Sequence, residues 1–331
     1  MKKIFTFIFA IVMIMEQSIY TCHAFELNDT VKIDIGYSSP YLNKRDIYSG
    51  YTTTNKSEIT MITHFLESLK QTEGGGVPTD SEQLRITLSD DSGAIKNYAI
   101  YPSILQIFKD ENSNNKYGYG VYKFPITEYY RMCDFINSLI LNKFDKNSTI
   151  SAEPSSWAKE YIDEAIVEEL IPEWNKIGYT NDISRVEVCQ LIDNLLTKKG
   201  VDKKTPSDYT YLKEYPFDDT RDISVKELYL QDVINGKSEN EFCPYDYITR
   251  EEFSRILSET YNILSKSDSY DLSELQYKDK EQISDWAVES IENVTFLGLM
   301  QGDENGNFNP KDNITKEQVI VTVLKLDKLM E

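Results

Sequence analysis

Three cations stand where a helix ordinarily prefers an anion. They lie in Ser184-Arg185-Val186-Glu187, Thr249-Arg250-Glu251-Glu252 and Thr315-Lys316-Glu317-Gln318. Ser/Thr-x-x-Glu/Gln is a capping box, in which two side chains satisfy orphan backbone donors of a first helical turn. Arg185, Arg250 and Lys316 then fall on the first helical residue, where the macrodipole opposes an exposed positive charge by roughly 0.3–1 kcal/mol. A guanidinium beside free helix N–H groups suits a carboxylate ligand, and Arg offers a bidentate fork that Lys lacks. A salt bridge to a neighbouring acid would explain each placement equally. Glu187 and Glu252 read as capping residues rather than ligand contacts.

Other chemistry has little to work with. Beyond residue 24 the sole histidine is His64, inside a helical pattern. No histidine cluster can hold a metal, and no Ser-His-Asp triad avoids that residue. Cys133, Cys189 and Cys243 are odd in number and lack CxxC spacing, so no disulfide framework or thiolate metal site is expected. Asp303-Glu304-Asn305-Gly306-Asn307 invites a calcium loop, but Phe308 and Ile314 occupy its sixth and twelfth places, which leaves a plain turn. Carboxylates are too common to single out a glycosidase pair. No enzyme activity and no cofactor are expected.

The elements that must position the cations repeat. Ile183, Ile248 and Ile314 open the three motifs at intervals of 65 and 66 residues, the mark of duplicated units. Behind them, Val188, Leu191, Ile192 and Leu195, then Phe253, Ile256 and Leu257, then Val319, Val323 and Leu326 give apolar faces at helical spacing. An earlier helix precedes two of the motifs. Ser156 stands as cap before Trp157, with Ala158, Ile162, Ala165 and Ile166 following; Asp285 precedes Trp286, with Ala287, Ile291 and Val294 following. Asn235-Gly236 and Gln301-Gly302 lie between the helices, where glycine permits positive φ. Short helix pairs cannot bury such faces alone, so units 155–200, 215–265 and 276–330 should pack on one another.

Upstream, residues 25–145 read as an α+β unit. Val31, Ile33 and Ile35 alternate as a strand; Asn55 and Glu58 cap a helix carrying Ile59, Ile62, Leu66 and Leu69. Strands over 84–88, 95–101, 104–108 and 117–124 form a meander, and a helix over 127–142 follows. Polar residues 146–154, ending in Pro154, read as a linker. Residues 1–24 carry a basic start, an apolar run too short to span a membrane and a small-residue cleavage site, which together predict a secretory signal peptide. The net charge of −20 becomes −21 when Lys2, Lys3 and Glu16 leave with that leader. Such a field argues against nucleic acid and anionic membrane as partners.

The motifs together resemble the S-layer homology family. The resemblance is carried by Phe217-Asp218-Asp219, Trp286-Ala287, Asn235-Gly236, Gly306-Asn307-Phe308-Asn309-Pro310 and Ile248-Thr249-Arg250-Glu251-Glu252. It covers residues 155–330 and implies three helical repeats in a pseudo-threefold bundle, hence a mainly α C-terminal half behind the small α+β domain. It further implies a secreted, noncatalytic cell-surface protein of a Gram-positive bacterium. Grooves between such repeats hold secondary cell-wall polysaccharide, often carrying pyruvate ketals. By position the groove residues are Arg185 and Trp157, Asp219 and Arg250, and Asp279, Trp286 and Lys316. Trp157 and Trp286 either stack on sugar rings or pack against a neighbouring helix. Unit one lacks Phe-x-Asp and Gly-x-Phe-x-Pro, unit two lacks the tryptophan, and unit three has Lys316 and Gln318 for Arg and Glu. The alternative role is an envelope module whose repeats bind protein partners and no sugar.

Overall fold

The structure, a computed structural model, describes residues 32–38, 51–68, 72–73, 83–89, 95–101, 104–108, 120–123, 131–132, 150, 153–172, 175–205, 214–266 and 275–331. The leader and most of the 127–142 helix and the 146–154 linker lie outside these residues. No described helix is long and apolar enough to cross a membrane.

Among the described residues, the N-terminal unit holds a seven-stranded antiparallel sheet and the helix packed with it. Its strands are β1 (Lys32–Ser38), β2 (Tyr51–Thr53), β3 (Thr72–Glu73), β4 (Gln83–Ser89), β5 (Ile95–Tyr101), β6 (Ile104–Phe108) and β7 (Gly120–Lys123), in the order β2-β1-β4-β5-β6-β7-β3. The expected meander is β4 to β7, and of the expected 117–124 strand the described part is Gly120–Lys123. The two- and three-residue edge strands β2 and β3 were not expected: pieces so short carry no period to read. Register places Ile33 opposite Leu88 and Ile86 opposite Tyr98, all buried. Helix α1 (Lys56–Ser68) begins as predicted, with the Asn55 side chain accepting from the Glu58 N–H at 3.1 Å, and it buries Ile59, Ile62 and Leu66.

The C-terminal half is helical. Helices α2 (Lys159–Val167) and α3 (Arg185–Lys198) form one pair, α4 (Ile223–Leu230) and α5 (Arg250–Ser265) the second, and α6 (Val288–Phe296) and α7 (Lys316–Leu329) the third. All three capping boxes form. The first helices start later than expected. Ser156 does not cap; α2 begins after Ala158, without a side-chain cap, and Asp285–Ala287 is a 3₁₀ turn ahead of α6. The glycine expectation also needs correction. Gly236 and Gly302 do not have positive φ. A Cβ there would stand 2.5 Å from Ser238 O and 2.6 Å from the Phe217 ring, or 2.6 Å from Asn307 O and 2.7 Å from the Tyr277 ring. Close approach, not φ, requires them.

The pairs close on one another in a ring. Ile183 N–H donates to Ile314 O at 3.0 Å, Ile314 N–H to Ile248 O at 3.2 Å and Ile248 N–H to Ile183 O at 3.2 Å, with all three isoleucines buried. Each second helix then receives carbonyls from a neighbouring loop. Arg185 N–H meets Asp246 O, Arg250 N–H meets Asp312 O and Lys316 N–H meets Asn181 O, at 2.9–3.0 Å. One continuous apolar core runs through all three pairs, with Phe242, Phe253 and Phe308 among its largest fully buried side chains.

Candidate functional site

Those backbone bonds change the chemistry expected at the helix starts. The first-residue N–H groups are engaged. The next ones, of Val186, Glu251 and Glu317, donate to Pro244 O, Pro310 O and Tyr179 O at 2.8–3.0 Å. The third ones serve the capping boxes. The predicted free N–H groups are therefore taken.

The cations resolve the dipole conflict by reaching away from their own helices. Arg185 donates from Nε to Phe242 O at 3.0 Å and from Nη2 to Asn235 O at 2.9 Å, its guanidinium 4.5 Å from the Phe242 ring centroid. Arg250 repeats this on Phe308 O and Gln301 O, both at 2.8 Å, with 4.8 Å to the Phe308 ring. Lys316 Nζ donates to Ile177 O at 2.8 Å and pairs with Glu187 at 2.7 Å. For that residue the salt-bridge explanation accounts for the charge. Asp219 and Asp279 clamp the same loops: their carboxylates accept from the N–H groups of Phe242 and Cys243, and of Phe308 and Asn309, at 2.7–2.9 Å.

Two clefts open beside these anchors. The first, about 230 Å³, brings Arg185 together with Lys237, Glu252, Arg255 and Trp286. Here α3, the Val233–Gly236 turn, α5 and the start of α6 converge. Trp286 is 50% exposed, which leaves part of its ring open to the cleft. Lys237 Nζ pairs with Glu252 Oε1, and Arg185 Nη1 lies 3.7 Å from the same oxygen. Burial pushes the Glu252 carboxyl up. The Lys237 and Thr249 donors and the two cations outweigh it and hold Glu252 below its ordinary value. The Asn235 amide, oriented with its oxygen towards Arg255, accepts from that guanidinium at 3.0 and 3.3 Å. Three cations thus face one acid. The second cleft, about 330 Å³, is lined by Arg250, Asp303, Asp312 and five uncharged residues, so acids outnumber the cation there.

Of the predicted residues, Arg185 and Trp286 share the first cleft, Arg250 lies in the second, and Lys316 is buried. Trp157, 51% exposed, lines neither cleft. Lys237 and Arg255 carried no motif and were missed. Arg255 is five residues after Arg250, but the equivalent positions carry Gln190 and Val321, so no repeated cation marks it.

Among the described residues, no group of three or more His, Cys, Asp or Glu is placed to hold a metal. Cys189 is a buried free thiol, and burial pushes it far up and leaves it inert.

A family model for the S-layer homology domain matches residues 276–320. The chain is 29% identical over 178 residues to an endoglucanase of Bacillus sp. (strain KSM-635), covering 51% of this chain and 18% of that protein. It is 26% identical over 188 residues to an amylopullulanase of Thermoanaerobacterium thermosulfurigenes, covering 55% and 10%. It is also 24% identical over 183 residues to the exoglucanase XynX of Acetivibrio thermocellus, covering 55% and 16%. The chain spans less than a fifth of each relative, so the activities in their names stay with those proteins. The matched segment runs through Asp279, Trp286, the Gly302–Pro310 loop and the third capping box, and on it the chain carries an S-layer homology domain, the mark of a cell-surface protein.

Proposed function

We propose that residues 155–330 form three S-layer homology repeats in a pseudo-threefold bundle that anchors the chain noncovalently to secondary cell-wall polysaccharide. The ring of hydrogen bonds among Ile183, Ile248 and Ile314 supports the threefold reading. The observation that carries the function is the first cleft, where Arg185, Lys237 and Arg255 face solvent-exposed Trp286. A guanidinium and an ammonium beside an aromatic face match an acidic sugar such as a pyruvate ketal, whose carboxylate takes the fork while its ring stacks on the indole. Asp219 and Asp279 contribute by holding the loops that shape the clefts. The acidic lining around Arg250 favours a different role for the second cleft, as a contact with an envelope protein. In this reading Lys316 is structural, and Trp157 offers its exposed face at the edge of the bundle.

Cosedimentation of the protein with purified walls, before and after chemical removal of the polysaccharide, tests the anchor. Binding should vanish with the polysaccharide; binding that survives removal would sink the proposal. Lys237→Ala and Arg255→Ala should each weaken wall binding by roughly tenfold, the loss of one charge-assisted contact. Lys237, which the motif pattern leaves as a bystander, belongs to the cleft and cannot serve as a neutral control.

A further inference from the structure

The 65- and 66-residue offsets relate Gln190, Arg255 and Val321, each five residues after Arg185, Arg250 and Lys316. The place next to Lys316 and Gln190 is therefore the counterpart of the first cleft. It is closed. Lys316 is 3%, Gln190 6% and Asn175 1% exposed. Asn175 Nδ2 donates to Gln190 Oε1 at 3.2 Å, and Gln190 Nε2 donates to Asp222 Oδ2 at 2.8 Å. That carboxylate oxygen also accepts from Arg131 Nε at 2.9 Å, while Arg131 Nη2 donates to Ser224 Oγ at 2.9 Å. Ser224 Oγ in turn reaches Asp193 on α3 at 3.1 Å. Arg131 lies in the 25–145 stretch that the sequence assigns to the N-terminal unit, 91 residues upstream of Asp222. Its side chain is 9% exposed and that of Asp222 1%. Ile150, from the joining segment, comes within 4 Å of where a Cβ on Gly178 would stand, and so does Lys316 Nζ.

We propose that the N-terminal unit is docked, through Arg131, onto the first and second helix pairs, beside the third groove. The unit is then a fixed part of the anchor rather than a freely tethered cargo. The groove assignment rests on the polysaccharide reading above; the docking does not. A buried ion pair sharing its acid with Gln190 and with the α4 cap makes the contact specific. Asp222 also accepts from the Ser224 N–H at 2.8 Å, so losing Arg131 leaves a buried carboxylate with neutral donors only at these bonds.

Small-angle scattering of the full chain tests this. A docked chain of this length has a radius of gyration of about 20 Å and a single-peaked pair-distance distribution. A two-lobed distribution for the unmodified protein would overturn the proposal. Arg131→Glu, which opposes Asp222 and Asp193, should enlarge the radius by several ångströms and speed hydrogen exchange at 222–226 at least tenfold. Unchanged scattering and exchange would also overturn it. Should Arg131→Glu not fold, Arg131→Met takes its place in the same two measurements, with the same result expected and the same result overturning the docking. Wall cosedimentation separates the readings: a chain that fails to bind walls yet responds to these substitutions is docked without being a polysaccharide anchor.

Discussion

At the scale of single residues, one side chain can serve the fold and the ligand together, and the two roles separate by what each loss leaves behind. Arg185 is 7% exposed and holds two loop carbonyls as well as facing the cleft. Removing it strands those acceptors and leaves Glu252 with one cation fewer. Arg185→Ala should therefore cost about 2–4 kcal/mol of stability, from charged hydrogen bonds and a weakened partly buried pair. Arg255 is half-buried and reaches one amide oxygen. Arg255→Ala should stay within about 0.5–1 kcal/mol of the unmodified protein. Urea midpoints measure both, and equal losses would contradict the division. Wall-binding losses in Arg185→Ala would thus be confounded by loosening of the loop, which makes Arg255 and Lys237 the sharper probes.

At the scale of elements, the first helices of the three pairs end alike. Glu169, Asp232 and Gly298 are equivalent and left-handed, at φ of 56°, 62° and 69°. Behind each, Leu170, Val233 and Leu299 donate at 2.9 Å to Ala165, Leu228 and Val294, the six-to-one bond of a Schellman end. Only the third pair uses glycine. A left-handed residue with a Cβ costs roughly 1–2 kcal/mol, whereas glycine adds about 0.5–1 kcal/mol of unfolded-state entropy. Glu169→Gly and Asp232→Gly should each gain about 0.5–1 kcal/mol, and Gly298→Ala should lose about 1 kcal/mol although its Cβ would meet nothing within 4 Å. Thermal midpoints falling in both glycine variants would refute this. These ends also show what the sequence could disclose. Capping boxes, helix faces and the meander were legible because hydrogen bonding and burial impose local periods. The ends at Glu169 and Asp232 were hidden, since the residue types contradict the backbone they adopt. Gly236 and Gly302 were legible as glycines but not by reason, because the atoms that exclude a Cβ, the Ser238 and Asn307 carbonyls and the Phe217 and Tyr277 rings, are brought there only by the folded loops. The cleft was half legible: Arg185 and Trp286 sit in motifs, while Lys237 and Arg255 become neighbours only when the helix pairs close on one another.

At the scale of the whole molecule, charge sets how the protein responds to its medium. Burial pushes the carboxyls of Glu187, Glu227, Glu252 and Asp327 up. Donors and cations around them prevail, and all four sit below their ordinary values of 4.5 or 3.8. A depressed folded value means the unfolded chain binds protons first as pH falls. Their contribution is complete above about pH 4.5 and is lost as pH drops through the folded values. Asp193, raised by burial, works in the opposite sense and offsets part of it. Meanwhile a net charge of −20 strains the fold at pH 7 and vanishes near the isoelectric point of about 4.6. Stability should thus peak near pH 5 and fall steeply below pH 4; urea midpoints that rise continuously towards pH 3 would contradict it. The same field acts on an acidic polysaccharide. The protein as a whole repels it, while one cleft attracts it over a few ångströms. Salt at 0.1 M shortens the electrostatic range to about 10 Å, screening the long-range repulsion more than the contact. The association rate with acidic wall fragments should therefore rise between about 10 and 100 mM salt, the reverse of an ordinary pair of opposite charges, while dissociation also quickens as the cleft contacts weaken. Surface-plasmon measurements over that range decide it, and an association rate that falls with salt would show that the cleft's cations, not the chain's net charge, govern the approach.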